Sequence, residues 1–148
     1  MPAELFNLEI HTPYRLFFID KVEAITLTLE DGEIGIYANH SFMIAPIKTG
    51  ILRIKDKDGL WKNAFVTEGI LEVSGHRTVL LVDAAEWPDE IDRDRALTAK
   101  KRAEEELKEG VIRFEAENAR LNLKRAETRL KVYDLRELRE LREKARPD

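Results

Sequence analysis

Between residues 83 and 96, in the stretch DAAEWPDEIDRDRA, the spacing of apolar side chains changes from the period of a strand to that of a helix. A chain with that seam cannot settle into one uniform architecture, so its two sides are read separately. Upstream, residues 5–12 alternate, with Phe6, Leu8 and Ile10 on one side and Asn7, Glu9 and His11 on the other. Residues 15–20 form another apolar run, and in residues 23–29 Ile25, Leu27 and Leu29 face inward. Glu30-Asp31-Gly32 marks a turn, after which residues 33–37, 43–48, 51–55, 61–67, 69–73 and 78–82 read as further strands. The tetrapeptide DKDG (56–59) is a hairpin loop with Gly placed for positive φ, and Ser74-Gly75 turns the last hairpin. Some eight to ten short strands with regular turn signals predict an all-β sandwich or barrel. Two layers are needed because the inward face of one sheet cannot bury itself.

Downstream of Pro88 the reading is helical. Asp92 follows Ile91 and precedes a helix-forming run, as an N-cap does. Ala96, Ala99, Ala103 and Leu107 then lie along one face, and Glu109-Gly110 breaks the run. A second helix begins near Ile112, with Ala119, Leu123, Ala126, Leu130 and Tyr133 on one face and Leu138 and Leu141 continuing toward Pro147. The short break implies an antiparallel hairpin. Its alanine-rich seam permits close approach but buries little, so it is marginal without a partner surface or ligand. The expected layout is a β domain over residues 1–87 and a helical domain over 88–148.

Charge separates the same two parts. Residues 1–90 carry 8 Lys/Arg and 15 Asp/Glu, residues 91–148 carry 17 and 14, and the whole chain is −4. An acidic body with a mildly basic helical tail suits a tail that meets acidic surfaces or an anionic ligand. Neither part has the block of like charge that a nucleic-acid arm needs. The absence of cysteine excludes disulfides, thiolate catalysis and zinc-thiolate sites, and fits a cytosolic protein. No run approaches the roughly 18 apolar residues of a membrane span, and the start MPAELFNLEIHT is unlike a signal peptide. A soluble chain is expected, held at a membrane only through a partner.

The three histidines, His11, His40 and His76, have no metal-ligand spacing. Ser41 and Ser74 lack a nucleophile-elbow context, and neither common glycine-rich nucleotide loop is present. No residue pattern argues for an enzyme. Asp92 reads first as a cap, although a helix N-terminus also offers dipole and free amides to a phosphate. Arg95 and Arg102 share a face of the first helix at seven-residue spacing, and Arg125 and Arg129 lie one turn apart on the second. Each alone reads as solvated surface. Four converging across a thin hairpin would form a phosphate clamp, because guanidinium forks match phosphate oxygens. The finish LRELRELREKAR is either a solvated helix with one greasy edge or a docking edge for another helix or subunit.

Taken together, DGEIGIYANHSFMIAPIKTGILRI (31–54), EGILEV (68–73), VLLVDAAE (79–86) and IDRDRA (91–96) resemble the epsilon subunit of bacterial F-type ATP synthases, essentially from end to end. The resemblance implies a ten-stranded N-terminal β-sandwich followed by a C-terminal antiparallel two-helix hairpin. It implies a non-catalytic rotor subunit on the cytoplasmic face of the cell membrane, bound to the gamma subunit and the c-subunit ring. It assigns the ring and gamma contacts to Glu30, Asp31, Gly32, Glu33 and His40, beside Ala38 where many relatives have Pro. In the family the helical domain is permissive when folded and blocks ATP hydrolysis, through the alpha and beta subunits, when extended. ATP is the regulatory ligand of the folded form in several members, and the magnesium requirement is left open. That site carries over onto Glu86, Ile91, Asp92, Arg95, Ala96, Arg102, Arg125 and Arg129. One departure stands out: the second helix runs past the usual family end, adding residues 133–146. The added turns either reach toward acidic loops of beta or pack on the sandwich or gamma.

Overall fold

Alternating burial gives most β strands one dry face and one wet face, and their pairing follows from it. The structure, a computed structural model, describes residues 3–145. The chain divides into two compact units, Met1–Trp87 and Pro88–Asp148.

The first unit holds nine strands: β1 (Phe6–His11), β2 (Leu16–Leu29), β3 (Gly32–Tyr37), β4 (Met43–Ile47), β5 (Gly50–Asp56), β6 (Trp61–Val66), β7 (Gly69–Ser74), β8 (Arg77–Val82) and β9 (Ala85–Glu86). One layer runs β4-β7-β8-β1 onto the first half of β2; the other runs from β3 through the second half of β2 to β5, β6 and β9. The 14-residue β2 belongs to both layers. It pairs with β1 from Leu16 to Val22, then with β3 and β5 from about Ala24 onward, with a register shift between Val22 and Ala24. β1 and β8 pair in parallel, and the remaining pairs are antiparallel.

The expected ten strands therefore become nine. The stretches 15–20 and 23–29 are one strand bent across two layers, and two-residue β9 is too short to show alternation. Leu8, Ile10, Ile25, Leu27, Ile36, Leu52, Ile54, Leu71 and Leu80 are fully enclosed between the layers. Gly59 has the anticipated positive φ (+80°), and Gly32 (φ +125°) and Gly75 (φ +55°), in the other two anticipated turns, also adopt the conformation that favours glycine. Gly69 is needed for a different reason. A Cβ there would lie 2.0 Å from the Leu81 carbonyl oxygen, so β7 can approach β8 only without a side chain.

The second unit holds one 3₁₀ turn (Pro88–Glu90), α1 (Arg93–Lys108) and α2 (Arg113–Ala145). Asp92 caps α1: its Oδ1 accepts from the backbone N–H of Arg95 at 3.1 Å. Glu109 ends the helix with its N–H on the Glu105 carbonyl, and Gly110 turns the chain at φ +69°. The helices return antiparallel through Ala96 and Ala103 on α1 and Ala119 and Ala126 on α2, all buried. Two expectations shift. Ala99 is exposed, because it lies about 60° round the helix from Ala96 and about 40° from Ala103, on the same side of both. On α2, Thr128 and Val132 are buried, while Leu123, Leu130 and Tyr133 are only half-buried. The Thr128 hydroxyl is satisfied by the Lys124 carbonyl at 2.7 Å. From Asp134 to the end of α2 every residue is exposed.

Candidate functional site

Seven-residue spacing on α1 and four-residue spacing on α2 place cations on one flank of each helix, and the hairpin brings the two flanks together. Arg95, Thr98, Ala99, Arg102, Ala103 and Glu106 of α1, with Asn122, Arg125 and Arg129 of α2, line a cleft of about 570 Å³. That volume lies within the usual range for a small-molecule site. All four sequence-predicted arginines border it. The α1 wall from Arg95 to Glu106 extends about 16 Å at 1.5 Å per residue. Since the helices are antiparallel, Arg129 stands near the Arg95 end and Asn122 near the Glu106 end. Arg102 Nε donates to Glu106 Oε1 at 3.2 Å, and the Arg102 side chain is 82 % exposed. Thr98 donates its hydroxyl to the Asp94 carbonyl at 3.0 Å.

The other positions assigned to a nucleotide are not among the residues lining this cleft. Asp92 holds the α1 N-terminus and does not line the cleft. The side chains of Ile91 and Ala96 are buried in packing. Glu86 belongs to the β unit, on β9 opposite Phe65. Thr98, Glu106 and Asn122 were missed by the sequence reading. Each lies three or four residues from one of the arginines, so helical spacing around Arg102 and Arg125 was the signal that could have found them.

In the β unit, Glu30, Asp31, Gly32 and Glu33 form the exposed tip where β2 turns into β3. Gly32 supplies the positive φ of that turn. His40 follows Asn39, a left-handed residue (φ +63°) whose amide donates to Glu4, and its Nδ1 donates to the Ser41 carbonyl at 2.8 Å. On the outer face of β1 and β8, the Arg77 guanidinium holds the Glu9 carboxyl below the usual carboxylate range, and Glu9 in turn raises Arg77. Among the described residues no group of His, Asp or Glu is arranged to hold a metal ion. No helix there is long and apolar enough to cross a membrane.

The same two-part layout recurs among known proteins. The family profile for the ATP synthase delta/epsilon chain β-sandwich domain matches residues 5–88, and that for the long α-helix domain matches residues 89–134. An ATP synthase epsilon chain of Caldicellulosiruptor bescii is 51% identical over 129 residues, covering 87% of this chain and 93% of the relative. One from Caldanaerobacter subterraneus subsp. tengcongensis is 47% identical, with coverage of 86% and 92%. Among solved structures, a chain of the Euglena gracilis mitochondrial ATP synthase OSCP/F1/c-ring assembly shares the fold at TM-score 0.74 and 20% identity, covering 86% of this chain and 80% of that one. A chain of the Tetrahymena thermophila central stalk/c-ring does so at 0.59 and 14%, covering 90% and 99%.

The class these matches define is that of a non-catalytic subunit of a multisubunit ATP synthase. The chain belongs to the ATP synthase delta/epsilon family, among its epsilon chains. The family's helical domain matches only to residue 134, whereas α2 continues to Ala145.

Proposed function

We propose that this chain turns with the central stalk and that its helical unit is a nucleotide-gated brake on ATP hydrolysis. The β unit would sit on the gamma subunit and against the c ring, with the tip Glu30 to Glu33 and the His40 segment as contacts. The solved neighbours from OSCP/F1/c-ring and central stalk/c-ring assemblies support that placement. The complex would hold the chain at the cytoplasmic face of the cell membrane and couple rotation to ATP synthesis. Extended, the helices would meet alpha and beta and block hydrolysis. Folded, they would be permissive and hold ATP.

The observation that carries the ligand reading is the convergence of Arg95, Arg102, Arg125 and Arg129 on one cleft between α1 and α2. Four guanidinium groups fit a polyanion of several phosphates, and forked donors suit its oxygens. A ligand touching both helices binds the closed hairpin and not the open one. At 100 times its dissociation constant it stabilises the closed form by about 2.7 kcal/mol. The seam it would reinforce is largely alanine, so that amount decides the state.

Two measurements test the reading. Titrating ATP into the full chain should give saturable binding at millimolar concentrations or below. Arg125→Ala should weaken it about tenfold or more, the scale of one lost charge-assisted hydrogen bond. Asp92→Ala should weaken it less, because Asp92 acts through the α1 N-terminus. An absence of saturable binding at millimolar ATP would sink the ligand proposal. The placement is tested by co-purification with gamma, and a lone homo-oligomer without gamma affinity would overturn it.

A further inference from the structure

Glu106 is the one carboxylate among the residues lining the arginine cleft. It stands four residues after Arg102, and it already accepts from Arg102 Nε at 3.2 Å. We infer that Glu106 is an internal competitor for Arg102 and sets the affinity of the cleft for polyphosphate. The inference rests on the nucleotide reading above.

The argument is geometric first. Ala99, Glu106, Arg95 and Arg102 fall within about 60° of one another on the α1 surface at 100° per residue. Any anion seated against Arg95 and Arg102 therefore lies alongside the Glu106 carboxylate. Arg102 meets Glu106 through Nε, so a phosphate can take its terminal nitrogens end-on only while staying close to a like charge. To use the side-on edge, Nε with one terminal nitrogen, it must displace Glu106. Both routes cost more binding energy than they would beside a neutral side chain, which carries no like charge and binds Arg102 more weakly. The cost is modest, because exposed pairs of this kind are weak in water and screened by salt. Here the Arg102 side chain is 82 % exposed and that of Glu106 39 %.

This gives Glu106 a role as a specificity residue. A ligand with more phosphate charge is penalised more by the carboxylate, so the acid restrains affinity for ATP more than for ADP. A regulatory site gains from such restraint: binding tight enough to stay saturated at every cellular ATP level would carry no information.

The test is Glu106→Gln, which keeps an amide oxygen able to accept from Arg102 and removes only the charge. Titrating ATP and ADP into the full chain at low and at high salt, Glu106→Gln should bind ATP about five-fold tighter than wild type at low salt, the upper end for an exposed pair. The gain should shrink with added salt and be smaller for ADP. In an Arg102→Ala background most of the gain should vanish, because the competition is for Arg102. A Glu106→Gln chain that binds ATP as wild type does, or more weakly, overturns the inference and makes Glu106 a positioning residue or a bystander. A gain that persists undiminished without Arg102 also overturns it. If neither wild type nor Glu106→Gln binds ATP at millimolar concentration, the nucleotide reading itself fails and the competition falls with it. Wild-type binding that depends on Arg125 while Glu106→Gln changes nothing leaves that reading standing and removes only this inference.

Discussion

The β unit and the helical unit are stabilised by different means. Between the β layers, large side chains such as Leu8, Ile25, Leu52, Ile54 and Leu71 lose all contact with water. Each is worth about 1.5–3 kcal/mol of burial. Among the described residues of the helical unit the fully enclosed side chains are Ala119, Ala126 and Val132, with Ala96, Ala103 and Thr128 nearly so and Ile91 the one large aliphatic side chain that is buried. An alanine contributes a single methyl group to that total. One unit thus encloses large apolar side chains and the other mostly small ones. That difference is what the proposed division into a fixed mounting and a switch requires.

The largest expected effect would come from the β unit. Gly69→Ala puts a methyl 2.0 Å from the Leu81 carbonyl oxygen, and the β7–β8 pairing from Gly69–Val82 to Ser74–Arg77 has to open to admit it. A loss of about 4 kcal/mol or more is expected, enough to keep the unit from folding. Leu71→Ala, which leaves a cavity and no clash, should cost about 2–5 kcal/mol. Both tryptophans, Trp61 and Trp87, belong to the β unit. Trp87 stacks on Phe17 at 4.5 Å. Tryptophan emission therefore reports β unfolding while circular dichroism follows the helices. If Leu71→Ala shifted only the helical transition, the comparison drawn above would be broken.

A smaller effect tests how the β hairpins are fastened. Asp56 Oδ1 accepts from the backbone N–H groups of Asp58 at 2.9 Å and Leu60 at 3.0 Å, with Lys62 nearby. The Leu60 bond, helped by the others, holds its carboxyl below the ordinary 3.8. A lowered folded value means the stabilisation is fully present above 3.8 and is lost as pH falls through the lower folded value. Asp56→Ala should cost about 1–2 kcal/mol at neutral pH. The gap between wild type and variant should narrow as pH drops below 3.8, measured by urea unfolding with Trp61 emission. A gap independent of pH would assign the effect to turn geometry and not to the charge.

These elements differ in how far the sequence discloses them, and the reason is locality. Gly32, Gly59, Gly75 and Gly110 sit in turns that short motifs announce, and all four have positive φ. Asp92 caps α1 because capping involves only the next three residues. The four arginines were legible for the same reason, since spacings of seven and four fix the face of a helix without reference to anything else. What stayed hidden depends on distant partners. Along β2, Val22 and Ala24 are buried on one phase and Ile25 and Leu27 on the other. The slip falls beside the register shift against β5, and alternation alone reads such a bend as two strands. Glu106 and Asn122 became cleft residues only once the hairpin set which flank of α1 meets which flank of α2. Burial of Thr128 and Val132 in place of Leu123 and Leu130 has the same non-local origin.

The smallest effect concerns the overhang of α2. At 1.5 Å per residue α2 is about 50 Å long and α1 about 24 Å, so α1 cannot cover all of it. Beyond Tyr133 every helical residue is exposed, including Leu135, Leu138 and Leu141. Arg136 pairs with Glu140 at 3.0 Å and Arg139 with Glu143 at 3.2 Å. Pairs of this kind support a helix locally by about 0.3–0.5 kcal/mol each and fasten it to nothing else. Ending the chain at Tyr133 should therefore change the helical transition by no more than about 0.5 kcal/mol and leave ATP titration within error of the full chain. A larger loss would make the overhang part of the hairpin's own packing and weaken the contrast between the two units. With no loss, the three leucines do nothing for the stability of the hairpin itself.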